Sequence, residues 1–156
     1  MEFRRIIEKR KSVRRFSDKS IEREVLDSIL YAGSLAPTSR NRRPCMLHLI
    51  EEKSLLQRLS QAKQAGAAFA ADARAAIVVA ADSDKADTWI EDSSIALTYM
   101  MLAAEEQNLG CCWVQLHLRS SADGKDAEDN AREILGLQQN FRIVGFLALG
   151  YGKEEE

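Results

Sequence analysis

Long apolar runs are absent from this chain of 156 residues, and proline, glycine and cysteine are scarce. No stretch approaches the roughly 20 apolar residues that a membrane-spanning helix requires. Two prolines and eight glycines exclude a collagen-like or low-complexity chain. The basic N-terminal segment is not followed by the apolar segment of a secretory signal. We therefore expect a cytoplasmic protein with no membrane partner.

The three cysteines do not have the spacing of a zinc site or of a disulfide framework. Cys45, Cys111 and Cys112 are an odd number, two of them are adjacent, and no C-x-x-C pattern occurs. Buried thiols are the simplest interpretation, because free cysteine packs as a small apolar residue. A catalytic thiol would need a histidine partner, and His48 and His117 are the only candidates. We expect no metal site.

Helical and strand periodicities alternate along the chain, which is typical of an α/β or α+β domain. The helical pattern covers residues 3–9, 20–33, 52–63, 88–108 and 127–135. The strand pattern covers residues 46–51, 75–81, 111–118 and 142–149. No repeat or change in composition marks a boundary, so we expect residues 1–156 to form one domain.

Several local signals set the expected ends of these elements. Ser20 is the expected N-cap of the second helix, and Gly33 is its expected end. Thr88 and Glu91 have the T-x-x-E spacing of a capping box, which predicts the start of the longest helix. That helix is apolar nearly all round, so we expect it to be buried in the core or at a subunit interface. The continuous apolar run over 75–81 predicts a strand buried on both faces.

Positive charge is concentrated near the N-terminus, although the chain carries a formal net charge of -2. Arg4, Arg5 and Lys9 fit a solvated helix face. Arg10, Ser12 and Arg14 follow that helix at alternate positions. In an extended segment they would share one side, where two guanidinium groups and a hydroxyl suit phosphate oxygens.

Such a row favours a small anionic ligand over a nucleic acid. A nucleic-acid-binding domain is usually basic as a whole and has aromatic side chains interleaved with its cations. This chain is slightly acidic as a whole, and only Phe3 and Phe16 lie near the basic segment, so we expect no nucleic-acid partner. A basic arm that binds another protein remains an alternative.

A second polar cluster, APTSRNRRP over residues 36–44, contains both prolines of the chain, Pro37 and Pro44. Thr38, Ser39 and Asn41 are residue types that make short-range hydrogen bonds in turns. Taken by itself, this cluster predicts a surface loop.

In combination, these two clusters resemble the FMN-dependent nitroreductases. In that family R-x-S-x-R-x-F precedes a helix and then A-P-S-x-x-N-x-Q-P-W. The corresponding stretches here are RKSVRRF over 10–16 and APTSRNRRPC over 36–45. AADARAAIVVAAD, DSSIALTYMMLAAEEQNLGCCWV and ILGLQQNFRIVGFLALGYG resemble later segments of the family in the same order. Each motif is weak by itself, but the order extends the resemblance over essentially the whole chain.

The resemblance implies an α+β fold, a nitroreductase-like sandwich with helices flanking a central, mostly antiparallel sheet. It implies an intertwined homodimer that holds FMN at the subunit interface. The implied activity is ping-pong transfer of hydride from NAD(P)H through FMN to a small electrophilic acceptor, such as a nitroaromatic or a quinone. FMN carries this chemistry, so no catalytic side chain is expected.

The resemblance also implies a set of cofactor-binding residues. These are Arg10, Lys11, Ser12, Arg14, Pro37, Thr38, Ser39, Asn41, Arg43, Trp113, Val114, Gln115, Leu116 and Lys153. Arg10 is expected near the phosphate, and Arg14 near the N1 and C2 carbonyl of the flavin. Residues 37–41 would approach the FMN of the partner subunit, and the backbone over 113–116 would approach its N5 edge.

Some positions depart from the family pattern. Arg43 replaces a glutamine, and its charge could add to flavin or phosphate binding or face solvent. Cys45 stands where tryptophan is common. Lys153 is the only basic residue after the last strand, where relatives have further cations for the phosphate. These departures keep open a flavin-binding storage or sensing protein that does not turn over. His117 could line the flavin pocket or be structural.

Overall fold

The computed structural model describes residues 2–154. Its helices are α1 (Phe3–Lys9), α2 (Arg23–Ser34), α3 (Lys53–Ser60), α4 (Trp89–Glu106) and α5 (Ala127–Leu135). Its strands are β1 (Cys45–Ile50), β2 (Ala75–Asp82), β3 (Gly110–Gln115), β4 (Phe141–Arg142) and β5 (Gly145–Gly150). Two short 3-10 turns cover Ser39–Asn41 and Ala68–Asp72. No helix over residues 2–154 is long and apolar enough to cross a membrane.

The strands form one sheet in the order β1-β2-β5-β3, and the short β4 pairs with β2. Every pair of strands is antiparallel. Helices cover both faces, so the α+β sandwich with an antiparallel central sheet is confirmed. This covering explains why β2 is apolar without alternation, as its sequence predicted: residues 75–81 are all buried.

The core lies in two layers, one on each face of the sheet. Ala76 and Val78 of β2 pack with α3 and α5 on one face. Ile77 and Val79 point to the opposite face, against α2 and α4. Successive side chains of a strand alternate between faces, so one strand contributes to both layers.

Helix α2 differs from its expected bounds at both ends. It begins at Arg23 with Glu22 as N-cap, rather than at Ser20. Gly33 lies inside the helix and is buried, whereas its sequence signal predicted the helix end. A Cβ at Gly33 would lie 2.7 Å from the Sδ of Met100 in α4. Close packing of α2 on α4 therefore explains the glycine.

Helix α4 begins as expected after Thr88, but the predicted capping box is wrong. The Thr88 hydroxyl makes no cap hydrogen bond and instead donates to Oδ2 of Asp92 at 2.9 Å. Glu91 is exposed. The helix ends at Glu106, two residues before its expected end, because Asn108 adopts a left-handed φ of 57°.

The last two predicted strands are shorter than expected. β3 ends at Gln115 rather than at residue 118, where Leu118 has a φ of 61°. The stretch 142–149 is divided into β4 and β5, which makes five strands instead of about four. Between them the N–H of Ile143 donates to the Glu128 carboxylate at 2.9 Å rather than to a neighbouring strand. By contrast, α5 has its predicted bounds, and Gly136 ends it with a φ of 67°.

Candidate functional site

The basic N-terminal segment lies in an extended conformation against the start of β3. Ser12 forms a parallel bridge with Cys111, and the N–H of Val13 donates to the Cys111 carbonyl at 2.9 Å. Val13 packs on Gly110, where a Cβ would lie 2.9 Å from its Cγ1. The absence of a side chain at Gly110 therefore lets the segment approach the sheet.

The same segment also pairs with the chain that follows β5. Phe16 forms an antiparallel bridge with Gly152, and the N–H of Lys153 donates to the Arg15 carbonyl at 2.9 Å. The Phe16 ring packs on Gly150, where a Cβ would lie 2.8 Å from its Cδ1. These pairings bring the C-terminal lysine next to the N-terminal arginines.

A cavity of about 600 Å³ opens between these two segments. It lies within the range of roughly 300–1,000 Å³ that is usual for small-molecule sites. Its lining residues are Lys11, Ser12, Val13, Arg14, Arg15, Gly152, Lys153 and Glu154. No ion pair over residues 2–154 involves its four cations. The lining therefore combines four cations with one carboxylate, a hydroxyl and an apolar valine, and its net positive charge suits a ligand that bears phosphate.

A second cavity, of about 480 Å³, adjoins the first and shares Arg14, Arg15 and Lys153 with it. It adds the cations Lys53 and Arg74 and the carboxylates of Asp18, Glu51 and Asp72. Positive charge thus extends on both sides of the paired segments, although the chain as a whole is acidic.

Arg10 does not line either cavity. It is the C-cap residue of α1, where its backbone N–H donates to the Ile6 carbonyl at 3.0 Å. The charge of Arg10 acts on the Cys111 thiol. Burial raises the pKa of this thiol to about 12, and the positive charge of Arg10 opposes that increase only in part. The structure therefore brings Ser12 and Arg14 together at the cavity but does not extend the row to Arg10.

Strand β3 is an edge strand, and its backbone offers hydrogen-bonding groups at the free edge. The Cys111 carbonyl points away from β5, because it accepts the hydrogen bond from Val13. Backbone groups alternate in direction along an antiparallel strand, so those of Trp113 and Gln115 face the same edge. The side chains of these two residues are joined, since Nε1 of Trp113 donates to Oε1 of Gln115 at 3.0 Å.

The other two residues expected on this strand point elsewhere. The Val114 and Leu116 side chains are buried in the core layer under α3 and α5. The backbone N–H of Leu116 donates to the Val144 carbonyl at 2.8 Å. Of the four predicted residues 113–116, Trp113 and Gln115 therefore have the backbone groups best directed to a ligand at the edge.

The loop over residues 37–43 is largely exposed and tightly bonded within itself. The Thr38 hydroxyl accepts from the N–H of Arg43 at 3.0 Å, and the Arg43 guanidinium donates to the Ser34 carbonyl at 2.9 Å. The N–H of Ser39 donates to Oδ1 of the buried Asp92 at 3.1 Å. Arg43 is exposed and directs one guanidinium nitrogen back to the end of α2.

The loop and the basic segment do not meet within one chain. No hydrogen bond or bridge over residues 2–154 joins residues 37–43 to residues 10–16. The cavity beside the loop, of about 200 Å³, shares no lining residue with the cavity at Arg14. Pro37 is exposed and Asn41 is exposed, so both are accessible to another molecule.

A buried charged cluster next to the end of β3 was not predicted. Glu128 is 2% exposed and accepts hydrogen bonds from Nδ1 of His117 at 2.8 Å and from two nitrogens of Arg142, each at 3.0 Å. The Arg142 guanidinium lies 4.3 Å from the centre of the Trp89 ring. His117 is thus held in this cluster, which links the end of β3 to α5 and β4.

Hydrogen bonding keeps Glu128 ionised despite its burial. Burial is the largest influence on its pKa and would raise it. The hydrogen bonds from Arg142, His117 and the N–H of Ile143 together outweigh burial and lower the pKa. No spacing in the sequence marks this residue, because its partners come from two other parts of the chain, His117 after β3 and the adjacent Arg142 and Ile143 at the end of β4. Asp92 was also missed, although a carboxylate in an apolar helix is a detectable signal.

Comparison with known proteins identifies the family. The model of the nitroreductase family matches residues 7–73 and 53–151. A protein of Archaeoglobus fulgidus, provisionally named NADH dehydrogenase/NAD(P)H nitroreductase, is 31% identical over 156 residues, which cover 97% of this chain and 86% of the relative.

Solved structures with the same fold lead to the same family. An FMN-dependent nitroreductase from Clostridium difficile R20291 superposes with a TM-score of 0.93 at 38% identity, covering 97% of this chain and 88% of that one. A nitroreductase family protein from Clostridium difficile 630 superposes with a TM-score of 0.84 at 32% identity, covering 99% and 87%. The chain belongs to the nitroreductase family.

Proposed function

We propose that the protein is an FMN-dependent oxidoreductase that passes electrons from NAD(P)H to a small electrophilic acceptor, such as a nitroaromatic or a quinone. The observation that carries the proposal is the cavity at which Ser12, Arg14 and Lys153 converge. The name of the Clostridium difficile R20291 relative, an FMN-dependent nitroreductase, supports the same cofactor.

The residues present fit a phosphate-bearing flavin. Arg14 and Lys153 offer charged donors for its anionic groups, and Ser12 offers a neutral hydrogen bond. The backbone edge at Trp113 and Gln115 offers further donors and acceptors. When bound, FMN would accept hydride from the donor and deliver it to the acceptor. The chain would hold the flavin in position, and its cations would stabilise the negative charge that develops on the ligand.

A homodimer is part of the proposal, because the loop at residues 37–41 and the basic segment are separate within one chain. Two copies of the chain could bring the loop of one to the cavity of the other. Large apolar side chains are exposed on the outer surfaces of α1, α2 and α4, and a second copy of the chain could cover them. These are Phe3, Ile7, Tyr31, Leu35, Ile90 and Tyr99.

We also propose a cytoplasmic location. All three cysteines are free thiols in the structure. Free thiols are usual in a reducing compartment, whereas secreted proteins commonly pair them.

Absorbance spectroscopy tests the cofactor directly. The purified protein, or protein incubated with FMN and desalted, should show flavin bands, and sedimentation should give a dimer at micromolar concentration. A colourless protein that cannot be loaded with FMN would exclude the proposal. Anaerobic addition of NADH or NADPH should then bleach the flavin bands, and an electrophilic acceptor should restore them. Flavin that neither donor bleaches would favour a storage or sensing role.

A further inference from the structure

Within residues 2–154, Asp92 is a buried carboxylate with two polar partners and no cationic one. It is 2% exposed in the first turn of α4. Its Oδ1 accepts from the N–H of Ser39 at 3.1 Å, and its Oδ2 accepts from the Thr88 hydroxyl at 2.9 Å. No ion pair over residues 2–154 includes it. A buried carboxyl group is costly unless hydrogen bonds offset its desolvation.

The loop that Asp92 contacts has an unfavourable backbone. Arg40, Asn41 and Arg43 have φ values of 52°, 54° and 50°, and none of them is glycine. Such residues are strained by roughly 1–3 kcal/mol each and persist only where surrounding contacts hold them. The strained turn therefore needs an anchor.

Most bonds of this loop lie within it or at the surface. Thr38 bonds the N–H of Arg43 within the loop. Arg42 is 3.6 Å from Asp87, whose side chain is 89% exposed, and such surface pairs contribute little. Among the residues that the structure describes, the hydrogen bond from the Ser39 N–H to Asp92 is the only one from this loop to a buried side chain of α4. It fixes the backbone immediately before the strained turn.

We propose that Asp92 is a positioning residue for the cofactor site of the partner subunit. It anchors Ser39, and thereby holds the loop over residues 38–41 in the conformation that contacts FMN across the dimer interface. This inference rests on the proposed function, because the loop needs a cofactor to contact. Preorganisation of the loop would increase affinity by removing the cost of ordering it on binding.

FMN titration of three variants tests the assignment. Asp92→Ala should weaken FMN binding by about tenfold or more, because the loop loses its buried anchor. Asp92→Asn should lose less, since the amide oxygen can still accept from the Ser39 N–H. Ser93→Ala is the matched control: Ser93 is fully buried beside Asp92, and its hydroxyl is 3.8 Å from the Cys45 sulfur rather than bonded to the loop. Its FMN affinity should stay within about twofold of the parent.

A mixed dimer separates positioning across the interface from a general effect on folding. One chain would carry Asp92→Ala and the other Arg14→Ala, each with a different affinity tag. One site then combines the intact Arg14 of the first chain with the intact loop of the second chain. That site should bind FMN with parental affinity, and the other site should be weak. If neither site binds FMN with parental affinity, Asp92 acts within its own chain, and the proposal is overturned.

Failure of this inference is distinguishable from failure of the proposed function. If the unaltered protein binds FMN and Asp92→Ala binds it equally well, only the role of Asp92 is wrong. If the unaltered protein binds no FMN, the proposed function is wrong and this inference fails with it. The Asp92→Asn variant keeps the test valid should Asp92→Ala fold poorly.

Discussion

The backbone N–H of Lys153 donates to the carbonyl of Arg15 at 2.9 Å, which ties the C-terminal segment to the N-terminal basic segment. This pairing carries Lys153 to the cavity that Arg14 lines. The N-terminal segment contributes three cations to this cavity, Lys11, Arg14 and Arg15, and the pairing adds Lys153 from the other end of the chain.

Arg14→Ala and Lys153→Ala should each weaken FMN binding. The loss should be about 1.5–3 kcal/mol where a charge-assisted hydrogen bond is removed. Arg10→Ala should cost less than Arg14→Ala, because Arg10 does not line the cavity. Arg4→Ala is the control, since Arg4 is exposed and paired with Glu8 at 3.0 Å. FMN titration measures all four, and an Arg10→Ala loss equal to that of Arg14→Ala would place the phosphate nearer to Arg10.

Gly145→Ala should destabilise the protein and disturb the edge of β3. A Cβ at Gly145 would overlap the carbonyl oxygen of Val114 and lie 3.0 Å from Nε1 of Trp113. Overpacking of this kind costs about 1–3 kcal/mol, and here backbone would have to move. FMN affinity should fall as well, because Trp113 belongs to the proposed site.

Gly136→Ala is the matched control for Gly145→Ala. Its φ of 67° makes alanine unfavourable, but a Cβ there meets nothing within 4 Å. It should cost about 1 kcal/mol and leave FMN affinity unchanged. Thermal unfolding and FMN titration measure both variants, and equal FMN affinity in the two would contradict a role for the β3 edge.

Glu128→Gln should lower the free energy of unfolding near neutral pH. The free energy of unfolding of this variant should also change less with pH in the acid range. Removing one partner of a buried charged network costs about 3–5 kcal/mol. The pKa of Glu128 is lowered on folding from its usual value of 4.5. Its contribution is therefore present above that pH and is lost as the pH falls towards the lower folded pKa.

Urea unfolding of wild type and variant as a function of pH checks this expectation. The difference in free energy of unfolding should be largest near neutral pH and should narrow below the usual glutamate pKa. Glu8→Gln should show little effect at any pH, because Glu8 forms an exposed ion pair with Arg4. A constant difference across the acid range would mean that ionised Glu128 does not stabilise the fold.

Thiol labelling should distinguish Cys45 from the other two cysteines. Cys111 and Cys112 are buried, and burial raises the pKa of Cys111 to about 12, so little reactive thiolate forms there. Cys45 is only half-buried, although burial also raises its pKa. The native protein should react slowly at one thiol, Cys45→Ser should not react, and urea should expose all three. If two thiols react fast in the native Cys45→Ser variant, Cys111 and Cys112 are not buried as described.

Local pattern predicted the elements whose environment is uniform along their length. Strand β2 was predicted because both its faces are buried, so nearly every side chain is apolar. Helix α5 and its end at Gly136 were predicted because the cap depends on local backbone geometry. Gly33 was misinterpreted for the opposite reason: the side chain that excludes a Cβ there, Met100, comes from another helix.

For the candidate site, local pattern indicated residue types, and the structure shows which of those residues lie together. The alternation of Ser12 and Arg14 was a sequence feature, and both residues line the cavity. Arg10 is the C-cap residue of α1 and does not line the cavity. Arg15 was missing from the expected set, since its place at the cavity follows from pairing with the segment after β5.

The amino-acid sequence by itself determined the family, the α+β class, the buried central strand and the residue types available to hold a phosphate-bearing ligand. The family follows from the resemblance of several motifs in their order along the chain, and the rest follows from composition and from periodicity within single segments. Only the tertiary structure decided which cations meet, where Glu128 finds its donors and that the Ser39 N–H donates to Asp92. Those relationships join residues far apart in the chain. Their geometry depends on how helices and strands pack against one another, and a local sequence pattern does not specify that packing.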